Sequence, residues 1–469
     1  MPAPDPPALR LDAPREEVLA KAAEIVLGAW ESFDRARPSE PALSNVDELL
    51  RQALPVTGGS ALAALDEAAR ILDHSIAQPR PRYFAFIGSS GLPIGVVGDL
   101  LASCYDVNLA TWAAAATRLE ETAIAWAAEF LGFPAETGAF TSGGTVSNVT
   151  ALAAARERAL PGSRRSGLAG RRGALYASAE AHYSVQRSAE LLGLGDENVR
   201  LLPIDGERRL VPEAVAEAIA RDRAAGVTPV AVVATAGTTL TGAVDPLDAL
   251  ADICEEAGAW LHVDGAYGGA AATVPETRAL FAGLERADSL TVDAHKWMFL
   301  PKACGILLVR QRDDLTAALA HEEAYLPHDR LEQHMVDITL EYSRPFRALK
   351  LWLAFRVHGA SAIREAIGRN VTQARLLHEE LLACEDMEPL CGPPPLSIVP
   401  FRHRPPGVAD LDDHNARLAQ ALQADGRVWI APARVDGVVC LRPCFVNFRT
   451  TDDDVRALVE ITREVGRTL

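Results

Sequence analysis

Lys296 stands between a histidine and a tryptophan in "SLTVDAHKWMFLPKACG", residues 289–305, at the end of a run that alternates like a buried strand. A lysine there is either a surface residue, with its stem on apolar neighbours and its ammonium in water, or an amine desolvated enough to attack a carbonyl. The rest of the chain has to decide, and three further clusters bear on the choice. "FTSGGTVSNVTALAAAR" opens a helix with Thr141, Ser142, Gly143, Gly144 and Thr145. Glycines let backbone N–H groups approach an anion, hydroxyls add donors and the helix dipole favours negative charge, so the segment is a competent phosphate cradle. It lacks the lysine of a nucleotide P-loop and the G-x-G-x-x-G of a dinucleotide fold, and a plain Ser/Gly helix cap reads the same way.

"ASAEAHYSVQRSAELLG" puts His182 at the start of a helix, where it is a core residue or a flat ring for a planar ligand to stack on. "WLHVDGAYGG" ends an apolar strand on Asp264. A carboxylate buried there needs a partner, which could be an arginine, a metal or a protonated ring nitrogen. The glycines after it leave room for a ligand. With one helix between them, Asp264 and Lys296 fall at the same edge of two successive strands.

The elements that must position these groups are legible in the same pass. Short β-branched runs ("ALYAS", "NVRLLPID", "PVAVVATAG", "AWLHVDGAYGG", "SLTVDAHKW", "CGILLVR") alternate with helical stretches between about residues 172 and 310. Near-continuous apolar strands separated by helices predict parallel strands buried on both faces. Ligands of such a sheet bind outside the carboxyl ends of its strands. Residues 1–78 read as helical with little strand signal and look unable to fold alone. Residues 79–352 form the large α/β domain. Residues 353–469 form a smaller α+β domain, in which Asp436 and Gly437 predict a tight turn between two strands.

Composition bounds the function. The 469 residues are 49% hydrophobic and 23% charged, the balance of a globular enzyme of more than one domain. Lys and Arg number 46 against 63 Asp and Glu, and the net charge of −17 argues against nucleic acid or an anionic membrane as partner. A small-molecule ligand is expected. Seven scattered cysteines, an acidic Pro-rich start and the lack of a long apolar window predict a cytoplasmic protein with neither signal peptide nor membrane span. His321 and His328 lack the H-E-x-x-H spacing, so no metal site is expected.

A phosphate cradle, a ring-stacking candidate, a carboxylate and a lysine, in that order, are what pyridoxal 5′-phosphate (PLP) needs. The segments "TSGGTVSN", "AHYSVQRSAELLG", "WLHVDGAYGG" and "DAHKW", with "PRYFAFIGSS", "RLEETAIAWAAEFLGFP" and "RPFRALKLWLAFRVHG" around them, resemble the group II PLP-dependent amino-acid decarboxylases, of which the aromatic-L-amino-acid decarboxylases are the best known. The likeness spans about residues 79–360. It implies the aspartate-aminotransferase-like fold (fold type I), with a mainly parallel sheet, and a homodimer whose N-terminal helices clasp the partner. It further implies that Lys296 holds the cofactor as an imine, that Asp264 pairs with the pyridine nitrogen and that His182 stacks on the ring. Gly144, Thr145 and His295 would hold the phosphate, with Thr239 beside the ring hydroxyl and Ala266 also at the cofactor. Relatives often show Asn-Pro-His-Lys where this chain has Asp293-Ala294-His295-Lys296, and an anionic Asp293 beside a phosphate is unfavourable.

Tyr325, in "AYLPH", corresponds to the loop tyrosine of the decarboxylases and is the expected acid that protonates the α-carbon after CO2 leaves. Phe84, Phe86 and Trp112 match positions near the pocket mouth in aromatic-specific relatives, which favours an aromatic or otherwise apolar amino acid. Arg442 in "LRPC" could bind a carboxylate, which would suit an acidic substrate instead. An oxidative aldehyde synthase or an aminotransferase is possible on the same scaffold.

Overall fold

Residues 9–321 and 334–469 are described by the structure, a computed structural model of the chain. Seven strands build the large sheet: β1 (Thr137–Thr141), β2 (Gly173–Ser178), β3 (Val199–Leu202), β4 (Thr228–Thr235), β5 (Trp260–Asp264), β6 (Ser289–Asp293) and β7 (Gly305–Val309). They lie in the order β1-β7-β6-β5-β4-β2-β3. Their apolar runs are continuous because alternate residues enter different cores. Ala174, Tyr176, Ile306 and Leu308 face one layer, while Leu175, Ala177, Leu307 and Val309 face the other. The helix Gly144–Ala159 covers the second layer, and the helices Ala115–Leu131, Pro212–Ala224 and Leu247–Ala257 cover the first.

Strands β2 to β6 are parallel, as expected, although β5 and β6 are joined by three short 3-10 segments (Gly268–Thr273, Arg278–Phe281 and Leu284–Arg286) and not by the one helix read from the sequence. β7 departs from that pattern and runs antiparallel to both β6 and β1. The connection from β6 to β7 is residues 294–304, shorter than the dozen or more residues a parallel crossover needs. Sequence reading finds no strand before residue 172, so β1 is an addition. Five short residues with a glycine carry little β signal, and pairing with β7 decides the matter. Gly305 makes that pairing possible: a Cβ there would lie 2.5 Å from Thr141 Oγ1 and 2.7 Å from Gly143 Cα.

A second sheet, in the order β10-β11-β9-β8, comprises β8 (Met387–Pro389), β9 (Phe401–His403), β10 (Pro432–Val435) and β11 (Val438–Leu441). Asp436 and Gly437, at φ 50° and 82°, form the expected tight turn between β10 and β11. The expected boundary at residues 352/353 falls inside the helix Ala348–Leu382, which is kinked at Gly359. Residues 83–85 pack on the smaller unit rather than on the large sheet. The Phe84 N–H donates to the Trp429 carbonyl at 2.8 Å, and the Phe84 and Phe445 rings are 5.1 Å apart.

None of the helices Arg15–Asp34, Asp47–Leu50 and Ala61–Asp73 contains a buried residue, and Leu19, Leu27 and Leu72 are more than half exposed. Among the described residues no helix is long and apolar enough to cross a membrane.

Candidate active site

The parallel strands deliver their chemistry to one edge. β5 and β6 are neighbours, with Asp264 opposite Thr291, so Asp264 and the turn holding Lys296 emerge side by side. β1 leads into the Ser142-Gly143-Gly144 turn, β2 leads to His182 and β4 ends at Thr235. The result is a cavity of about 860 Å3 lined by Ser142, Gly144, Thr145, His182, Thr239, Asp264, Ala266, His295, Lys296 and Arg442. Each cofactor-binding residue expected from sequence reaches this one space.

Lys296 is neither a surface lysine nor a fully buried one. Its side chain is 24% exposed, and Nζ sits 2.9 Å from Oδ2 of the buried Asp293. That carboxylate, unfavourable next to a phosphate, therefore has the lysine ammonium as its partner, and its Oδ1 is buried without a hydrogen bond. The His295 ring accepts at Nδ1 from the Cys304 N–H, 3.1 Å away, and burial pushes its pKa below the ordinary value despite nearby Asp293.

Asp264 ends β5 with both oxygens engaged, accepting from Asn148 Nδ2 at 2.8 Å and from the Ala266 N–H at 3.1 Å. His182 lies just before the helix Ser184–Leu191. Burial lowers its pKa, opposed by the charge of Asp264, so the ring is neutral near pH 7.

Sequence reading expects the glycines after Asp264 to leave room for a ligand, and they do not. A Cβ on Gly268 would be 2.3 Å from the Ala236 carbonyl oxygen, so that glycine lets two backbones touch. Asn148 and Ser184, which hold Asp264 and His182, are missed by sequence reading. Both stand among other polar residues of their helices, so residue type alone does not single them out. Asn148 is one helical turn past Gly144, so it faces the same edge of the sheet.

Substrate-pocket residues are placed unevenly. Phe86 lines the cavity mouth, 62% exposed, at a left-handed φ of 55° that is strained for a bulky side chain. Its carbonyl accepts from Arg442 Nη1 at 3.0 Å. Arg442 is buried, and its Nε and Nη2 have no partner. Phe84 is buried in the smaller unit's core instead of lining the cavity. Trp112 lies under the Arg118 guanidinium, 5.0 Å from it, and is not among the described lining residues. Tyr325 lies outside the described residues.

These features fit a planar anionic cofactor. The first N–H groups of the helix Gly144–Ala159 have no partner within the helix, a lysine amine is at hand, and the Thr235 hydroxyl, which can donate, is buried without a partner. Fold and site together define a fold type I PLP enzyme. A family model, the pyridoxal-dependent decarboxylase conserved domain, matches residues 44–404. The chain belongs to that family, and it is a PLP-dependent amino-acid decarboxylase. It is 33% identical over 433 residues to an aromatic-L-amino-acid decarboxylase of Bacillus atrophaeus, covering 89% of each chain. It is 34% identical to an L-2,4-diaminobutyrate decarboxylase of Rhizobium meliloti, covering 89% of this chain and 84% of that one. The crystal structure of Oryza sativa TDC with PLP and tryptamine superposes with a TM-score of 0.90 at 28% identity, covering 97% of each chain.

Proposed function

We propose that the enzyme converts an L-amino acid with an aromatic or otherwise apolar side chain to its amine and CO2. The observation that carries this reading is the convergence of Lys296, Asp264, His182 and the Gly144 helix start on one cavity whose mouth is walled by Phe86, Ile87, Tyr183, Leu240 and Pro432. That wall suits an apolar side chain. The names of the relatives span different side chains, so the choice among them rests on the cavity.

When bound, PLP supplies the carbonyl that joins an amine and a conjugated ring nitrogen that takes up the electron pair left by departing CO2. Lys296 Nζ would hold the cofactor through its carbonyl. Asp264 would keep a proton on the ring nitrogen. His182 would cover the ring, Gly144, Thr145 and His295 would hold the phosphate, and Thr239 would serve the ring hydroxyl. Tyr325 is proposed as the acid that returns a proton to the α-carbon. A panel of L-amino acids scored for CO2, amine, aldehyde and oxygen uptake tests the assignment. Amine from aromatic substrates supports it, and aldehyde as main product refutes it.

One observation favours an acidic substrate instead. Arg442 and Lys296 are the cations among the described lining residues, and two Arg442 nitrogens lack partners. In Arg442→Met, loss of glutamate or aspartate turnover with aromatic turnover kept would establish this second reading.

We further propose a cytoplasmic homodimer in which residues 1–78 clasp the partner, since their helices bury nothing in one chain. Sedimentation of the full chain tests it: a monomer at micromolar concentration refutes the clasp.

A further inference from the structure

Asp264 and His182 end one hydrogen-bond chain that begins at an indole buried in the sheet. Trp260 Nε1 can only donate, and it lies 2.7 Å from Ser289 Oγ. That hydroxyl accepts there and has its own proton free for His262 Nδ1, 2.8 Å away. His262 is fully buried, and burial pushes its pKa down to about 4 against the opposing charge of Asp264, so the ring is neutral. With Nδ1 accepting, the ring proton is on Nε2, 3.0 Å from Asn148 Oδ1. The amide oxygen is thereby committed to His262. Both Asn148 Nδ2 protons then point to the site, one to Asp264 Oδ2 at 2.8 Å and one to Ser184 Oγ at 3.0 Å. Ser184 has accepted, so its hydroxyl donates to His182 Nδ1 at 2.8 Å, which also receives the Ser184 N–H at 3.2 Å. His182 is left with its proton on Nε2.

The opposite polarity fails at one link. A proton on His262 Nδ1 would turn the Asn148 amide over and set its oxygen 2.8 Å from a carboxylate oxygen, two acceptors with no proton between them. Only one direction satisfies every group, and buried polar networks are stable only when fully satisfied.

We propose that Asn148 is a positioning residue whose amide, oriented by the Trp260–Ser289–His262 chain, both fixes the Asp264 carboxylate and sets the tautomer of His182. None of the four touches the cavity chemistry except Asn148, which lines it. The proposal rests on the roles given above to Asp264 and His182, but its polarity does not depend on which amino acid is decarboxylated.

Long-range proton–nitrogen spectra of the 15N-histidine-labelled protein test it, with and without PLP and with His182→Gln and His262→Gln for assignment. At pH 7 both rings are expected neutral with Nε2 protonated. A proton on Nδ1 of His262, or a charged His262, overturns the proposal in the unaltered chain, whether or not any variant folds. Asn148→Ala should weaken PLP binding roughly tenfold or more, the scale of losing a hydrogen bond to a charged group, and should mix the His182 tautomers. Ser289→Ala, remote from both ends, should perturb the His182 signals in the same direction with a smaller loss of affinity. Unchanged PLP affinity and unchanged His182 signals in Asn148→Ala overturn the positioning role. If the tautomers are as stated but no amino acid loses CO2, the functional reading fails and the chain of bonds stands.

Discussion

Asp264→Asn keeps the shape of the side chain and removes its charge. Asp264 is 6% exposed and accepts two N–H donors, from Asn148 and Ala266. An asparagine presents one oxygen and one NH2, so one of those donors now faces another donor. Leaving a buried group unsatisfied costs about 1–3 kcal/mol. Replacing a charged acceptor by a neutral one opposite the ring nitrogen removes a further ~1.5–3 kcal/mol. The unsatisfied donor burdens ground and transition states alike and lowers stability, so only the second amount bears on kcat, roughly 10- to 10²-fold at ~1.4 kcal/mol per tenfold. The assay is CO2 release at saturating PLP and substrate, with cofactor occupancy checked by visible absorbance. A variant fully occupied by PLP and slowed less than about tenfold would refute the role of Asp264, because the loss of the charged acceptor would then have no effect on the barrier.

Lys296→Ala should abolish borohydride-fixed labelling by PLP, read by mass spectrometry; labelling at another lysine would show that the amine has been misassigned. Glu120→Ala strands the Arg344 guanidinium, its partner at 2.7 Å in a pair with no exposed side-chain surface, and should destabilise the fold by about 3–5 kcal/mol in denaturant titration. The double variant Glu120→Leu/Arg344→Met should recover most of that loss. Tyr325→Phe should still bind PLP and substrate but make less amine and release aldehyde and ammonia with oxygen uptake; amine at the full rate would limit Tyr325 to packing. His182, His262 and His295 all have folded pKa values below the ordinary one, so the unfolded chain binds protons first and stability should fall as pH drops below about 6.5. Melting midpoints that rise on acidification from pH 6.5 to 5 would contradict that sign.

The catalytic edge was readable because each of its groups is tied to a strand or helix end, and the ends of apolar runs are the clearest marks in a sequence. Lys296, Asp264, His182 and Gly144 are all of that kind. Two things were not readable. The direction of β7 depends on the length of the Lys296 turn, a tertiary constraint that period-two alternation does not carry. The destination of the "PRYFAF" segment depends on contacts with Trp429 and Phe445, more than three hundred residues along the chain, so Phe84 and Phe86, two positions apart, point to a core and to the cavity. Asn148 and His262 were hidden for another reason: their meaning lies in which proton each carries, and only the geometry of their partners fixes it.

The cavity draws the groups proposed for catalysis from one part of the molecule, and its arginine and part of its wall from another. Lys296, Asp264 and His182 hang from the large sheet, whereas Arg442, Ala431, Pro432 and Ala433 come from the smaller unit, and Phe86 is anchored to it through Phe84 and Arg442. On the proposed assignment, substitutions in the smaller unit should change substrate preference while Lys296, Asp264 and His182 stay untouched. A lineage built on this plan can diversify its diet without reinventing its chemistry, and a library confined to residues 84–87 and 429–444 is where an engineer would redirect this enzyme.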